Sequence, residues 1–170
     1  MKGMIWLINS YGHGGHLLIV PDDRSFTKII DMKYRLPARL FKGNRDEYPI
    51  SDTASKKTIS LYADIVARFS CVDGGVILDK NMDLIGFGSE AIVDITNISP
   101  PSLRFVAYDG HIEADRRFDD NGMRHRACYR LCDLVEDSVV IIFSQDGSIK
   151  ACTKDNGEVV VFENVGIPFV

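Results

Sequence analysis

Two short segments hold the side chains best suited to chemistry. Arg124-His125-Arg126 opens a run whose apolar positions recur at helical spacing, so the spacing predicts two guanidiniums at the start of a helix. Free backbone N–H groups and the positive end of the helix dipole favour an anion there. Guanidiniums add planar, bidentate phosphate donors. Basic side chains are electrostatically disfavoured at a helix start unless something negative meets them. The alternative is a basic surface turn neutralised by Asp119, Asp120 or Glu136. Asp73-Gly74-Gly75 closes a helix-to-strand connection and opens an apolar strand. The glycines let a ligand approach the backbone, and the carboxylate can hold Mg²⁺ or accept a hydroxyl proton. The same three residues also make a plain turn.

Other candidates are weaker. Gly12-His13-Gly14-Gly15-His16 offers a phosphate-cradling loop or a metal pair. It lacks the Gly-Lys-Ser/Thr ending of a P-loop, and neither histidine has a Cys or Glu at ligand spacing, so a tight turn is expected. Cys128 and Cys132 share one apolar helix face, and all four cysteines, with Cys71 and Cys152, are expected as reduced core residues. Asp79 and Asp83 bracket a hairpin loop as turn formers. No Ser-His-Asp arrangement can be inferred.

These residues need a scaffold, and 170 residues with 45% hydrophobic and 26% charged content suit one globular domain spanning 1–170. A net charge of −4 argues against a surface that coats nucleic acid. No apolar run approaches the roughly 20 residues of a membrane span, and Met1-Lys2-Gly3 leads into no secretory signal, so the expected address is the cytoplasm. The apolar ending Ile167-Pro168-Phe169-Val170 fits a domain excised from a longer protein.

Met4 to Ile8 and Leu17 to Val20 read as two opening strands flanking the glycine turn. Arg24 to Asp52, broken by Pro37 and Pro49, reads as a short helix plus surface loop. From Thr58, residues Ile59, Leu61, Tyr62, Ile65, Val66 and Phe69 mark a core-facing helix capped by Ser55 or Thr58. Gly75 to Leu78 and Leu84 to Gly88 form a hairpin with a buried first arm, with a further strand near Ala91 to Ile95. Ser99 to Asp119 is a polar connection with a short strand at Leu103 to Tyr108. Asn121 caps a helix running from Gly122 to about Val135, followed by strands at Val139 to Phe143, Ile149 to Thr153 and Val159 to Phe162. The fold class is α/β (α+β), a central mixed β-sheet flanked by helices.

The motifs, in their order, resemble the diadenylate cyclase superfamily. Its pattern of D-G-A, then G-T-R-H-R-A-A, then a strand ending in S-E-E is matched by three segments. These are Asp73-Gly74-Gly75, Gly122-Met123-Arg124-His125-Arg126-Ala127-Cys128, and Val139 to Phe143 followed by Ser144-Gln145-Asp146. Gly14 to Val20 is similar to the family's first Gly-rich strand, so the resemblance covers about residues 12 to 155. It implies that Asp73 binds Mg²⁺ or Mn²⁺ and helps activate a ribose 3′-hydroxyl. Gly74 and Gly75 leave room for the nucleotide, and Arg124, His125 and Arg126 clasp a triphosphate. Ser144, with Gln145 or Asp146, occupies the rim where family cyclases place a metal-binding glutamate. Joining two ATP molecules needs each 3′-oxygen to attack the other's α-phosphate, so two protomers must face each other.

This chain departs from the pattern at the metal. Gln145 supplies no negative charge, Asp146 is a carbon shorter than Glu, and Met123 replaces a Thr. The balance favours the superfamily's DAC-like sensor branch, such as DACNV domains of bacterial conflict systems, binding ATP or a cyclic nucleotide signal. Such a module implies a homodimer or higher oligomer and a fused effector. The alternatives are an active cyclase making cyclic di-AMP, or a structural module without ligand.

Overall fold

The computed structural model describes residues 2–21, 26–36, 53–91, 99–107, 109–113 and 117–165. Its centre is a mixed sheet whose nine described strands run in the order β2-β4-β3-β1-β7-β8-β9-β5-β6. The inner strands are β1 (Gly15–Val20), β3 (Gly75–Asp79), β4 (Leu84–Ala91), β7 (Val139–Phe143) and β8 (Ile149–Asp155), continued by β9 (Glu158–Glu163). The outer ones are β2 (Ile30–Arg35), β5 (Leu103–Val106) and β6 (Ile112–Glu113). β1 and β3 are parallel, with Leu17 opposite Val76, whereas β7 runs antiparallel to β1, with Gly15 opposite Phe143. The starts of β1 and β3 and the end of β7 therefore share one edge of the sheet.

Side-chain alternation assigns the two faces. Leu17, Val76, Leu78, Ile141 and Phe143 pack with Met4, Ile5 and Ile8 of α1 (Lys2–Ser10) and with Ala63, Val66 and Ala67 of α2 (Thr53–Phe69). Leu18, Val20, Ile77, Val140, Ile142 and Cys152 pack on the other face with Cys128, Tyr129, Leu131 and Cys132 of α3 (Met123–Leu134). The α/β architecture is thus a sheet between two helical layers. Complete burial of each such Leu or Ile contributes roughly 1.5–3 kcal/mol.

Several expectations from the sequence are corrected. Met4 to Ile8 is helical: five apolar residues do not distinguish a strand from a buried helix turn, and burial of Met4, Ile5 and Ile8 follows helical spacing. The glycine turn consequently follows a helix. Gly12 takes φ +66° while its amide and that of Tyr11 donate to Asn9 and Ile8 carbonyls, a helix C-terminal reversal. Within Arg24 to Asp52, the described part holds strand β2, paired antiparallel to β4, and no helix; residues 37–52 lie outside the described residues. α2 begins at Thr53, so Ser55 and Thr58 are inside it and do not cap it. Leu61 is 56% exposed, and Ala63 and Ala67 share the buried face with Val66. Cys71 is exposed; the other three cysteines are buried. The strand expected at Ala91 to Ile95 falls on residues outside those described except for Ala91, the last of β4. β5 pairs in parallel with β9, joining the long connection to the sheet.

α3 starts one residue later than Asn121 would place it. Gly122 is the N-cap and supplies no capping side chain, while the Asn121 amide donates to the carbonyls of Arg117 and Phe118. The first amides of α3 are left without a side-chain cap. Asp79 is buried and its carboxylate accepts from the amides of Asn81 and Asp83, which confirms it as a turn former.

Candidate functional site

The shared edge gathers the segments singled out from the sequence. Arg124, in the first turn of α3, lies against Gly14: a Cβ there would fall 2.1 Å from Nη1 and 3.1 Å from Cζ, with Gln145 Cγ at 3.2 Å. The guanidinium occupies the space that a side chain at position 14 would take, so glycine there lets Arg124 seat against the start of β1. One residue on, His125 Nε2 lies 3.2 Å from Ser144 Oγ, joining α3 to the end of β7. These contacts fix the helix start over the β1–β7 half of the rim.

The β1–β3 half is built by His16. Its ring packs on Gly75, where a Cβ would lie 2.0 Å from Nε2. Burial, reinforced by the positive charge of Arg124, pushes His16 down to about 4, so the ring is neutral at neutral pH. Gly74 adopts φ +98°, and a Cβ there would press within 2.8–2.9 Å of the Gly88 and Ser89 backbone. That position therefore needs glycine for conformation and for packing alike. Asp73 is exposed before this turn, and its Oδ1 accepts from the Gly74 amide.

Not every candidate converges. Arg126 points toward Asp119, with Nη1 3.6 Å from Oδ1, an exposed pair that holds the side chain loosely. Asp120 accepts from the Arg117 amide instead, and Glu136 pairs with Lys154 at 3.0 Å. Arg124 has no carboxylate partner among the described residues. Asp146 stays in the β7–β8 turn, its Oδ1 accepting from the Ser148 amide at 2.9 Å and hydroxyl at 2.7 Å. Those bonds, led by the amide, hold its carboxyl below the usual range.

His16, expected in the glycine turn, lies instead in β1. Positions 16, 18 and 20 alternate onto the α3 face, and that parity was the available signal. Nearby, burial pushes the Cys128 thiol up to about 12, while a hydrogen bond with Cys132 and burial raise Cys152. The buried cysteines Cys128 and Cys132 of α3 and Cys152 of β8 act as packing rather than as nucleophiles.

As a whole, the rim offers one guanidinium without a carboxylate partner among the described residues, a second loosely held, and helix amides without a side-chain cap. This set suits an anionic group. Among the described residues, no three His, Cys, Asp or Glu side chains come together to hold a metal ion. With Asp146 engaged by Ser148 and Gln145 on Gly14, the donors here do not form a protein-built metal centre.

No family model matches the chain, and no curated protein matches it. Its fold is similar to that of a solved structure described as a hypothetical membrane-spanning protein from Bacillus cereus, at 15% identity and a TM-score of 0.54. The match covers 93% of this chain and 59% of that one, so the chain spans about three-fifths of that protein's length. No helix among the described residues is long and apolar enough to cross a membrane.

Proposed function

We propose that this chain is a nucleotide-binding module of the diadenylate cyclase type, a sensor that holds the phosphates of ATP or of a cyclic nucleotide at the start of α3. The observation that carries it is the seating of Arg124 on Gly14 beside Gln145, with no carboxylate partner among the described residues. A guanidinium held at a helix start without a counter-charge is electrostatically unfavourable alone and favourable with an anion. Supporting it, His125 and Ser144 add polar groups on the same rim, and Asp73 stands exposed at the β3 end of it. Arg126 contributes a weaker, exposed positive charge. In this reading the signal passes from the site to a fused effector or a partner copy.

One observation favours the second reading, an active cyclase joining two ATP molecules. The Asp73 carboxylate is exposed and, among the described residues, accepts from its neighbouring amide alone, which leaves it open to a ribose hydroxyl. The donor set does not supply a metal centre of its own, so a divalent ion such as Mg²⁺ or Mn²⁺ would be held chiefly by the phosphates. The sensor is preferred for that reason.

Thermal unfolding tests both. ATP or cyclic di-AMP at 100 times its dissociation constant adds about 2.7 kcal/mol to stability, and Arg124→Ala removes the shift without unfolding the chain. Production of cyclic di-AMP from ATP, abolished by Asp73→Asn, selects the cyclase. Absence of any shift with either nucleotide rejects the module.

A further inference from the structure

We propose that His16 is a further residue of this site, a flat ring that meets the nucleoside end of the ligand while Arg124 holds its phosphate end. The inference rests on the nucleotide reading above and goes beyond it by assigning the ligand a direction along the sheet edge.

Across the edge the strand order is β3, β1, β7. The first turn of α3 meets the β1–β7 side, where Arg124 lies against Gly14 and His125 against Ser144. An anion anchored by Arg124 and the open amides therefore sits over that side. A ligand longer than a phosphate must extend away from the helix, and toward β3 the surface changes character. There the His16 ring lies on Gly75, with Cδ2 and Cε1 at 2.5 and 2.6 Å from the position of a Cβ, and Gly74 and Asp73 follow.

The two halves differ in charge as well as in shape. Burial and the neighbouring guanidinium keep His16 unprotonated at neutral pH, which makes it a poor phosphate anchor. A neutral half-buried aromatic ring is instead a platform for a base or a sugar face. Asp73, at the far end, suits a ribose hydroxyl. The pairing of a ring at 16 with glycine at 75 is obligatory, because any side chain at 75 would displace the ring.

Calorimetric titration with two probes, ATP and inorganic tripolyphosphate, at pH 7.5 with Mg²⁺ separates the roles. The wild-type chain binds both, and Arg124→Ala weakens both at least tenfold. His16→Ala weakens ATP about tenfold and leaves tripolyphosphate within twofold. Gly75→Ala, which drives the ring off without altering it, gives the same selective loss, and His16→Phe, which keeps a flat ring, retains most ATP affinity. Equal loss of both probes in His16→Ala, or loss of neither, overturns the assignment of His16 while leaving the Arg124 site standing. Failure of the wild-type chain to bind either probe removes the nucleotide site itself, and His16 with it.

Discussion

The Arg124 guanidinium stands where the side chain of residue 14 would be, 2.1 Å between Nη1 and the position of a Cβ on Gly14. Helix α3 and strand β1 are thereby interlocked at the point where the helix offers its uncapped amides. Gly14 lacks the left-handed backbone of Gly12 or Gly74, so alanine is conformationally permitted there.

Gly14→Ala consequently separates binding from folding. The new methyl meets the far end of a flexible side chain, which swings aside at little energetic cost. Chemical denaturation should show stability within about 0.5 kcal/mol of wild type. Losing a charged hydrogen-bond donor from its seat should weaken nucleotide affinity roughly tenfold to a hundredfold. Calorimetry on the same preparation checks the second half.

Gly74→Ala should behave in the opposite way. At φ +98°, with the Gly88 and Ser89 backbone 2.8–2.9 Å from the added Cβ, no side chain can yield. A cost of about 2–4 kcal/mol is expected from strain and overpacking. A lowered urea midpoint with an unchanged slope is the signature.

A third test concerns the sheet rather than the site. Lys150 and Glu163 face each other across β8 and β9, with Nζ 2.7 Å from Oε1 and only 10% and 13% side-chain exposure. Lys150→Met leaves a carboxylate in a half-dry setting and should destabilise the fold by about 2–3 kcal/mol. Adding Glu163→Leu should recover much of that loss, which a double-mutant cycle would read out.

The acid limb of stability should carry a mark of His16. Its folded-state value of about 4 lies below the ordinary 6.5, so the unfolded chain takes up a proton that the folded site refuses. The stabilisation is complete above about pH 6.5 and is lost as pH falls toward 4, by about 3 kcal/mol. Urea denaturation of wild type and His16→Gln at pH 7.5 and 4.5 isolates it: the difference between the two proteins should shrink or reverse at the lower pH.

How much of this was legible in the sequence varied with the range of the forces involved. α3 is readable because its apolar positions keep helical spacing over twelve residues, and β7 because Val139 to Phe143 is a β-branched run closed by the Ser144 to Gly147 turn; the rim residues Arg124, His125 and Ser144 come with them. α1 was misread because five apolar residues carry no period of their own; only packing against Ala63, Val66 and Ala67 decides the matter. The parallel pairing of β5 with β9 joins residues more than fifty positions apart, and no local pattern encodes it. His16 looked like a turn residue because the glycines beside it dominate the local signal. Its surroundings depend on Gly75, set beside it by the register of β1 with β3, and on Arg124, brought in by α3 against Gly14, both distant in sequence.

Backbone amide resonances followed during titration with ATP report whether an anion binds at the start of α3. The largest shifts should fall on Gly14 to His16, Asp73 to Gly75, Met123 to Arg126 and Ser144, and should vanish in Arg124→Ala. Shifts confined to other parts of the sheet, or none at saturating nucleotide, would contradict it.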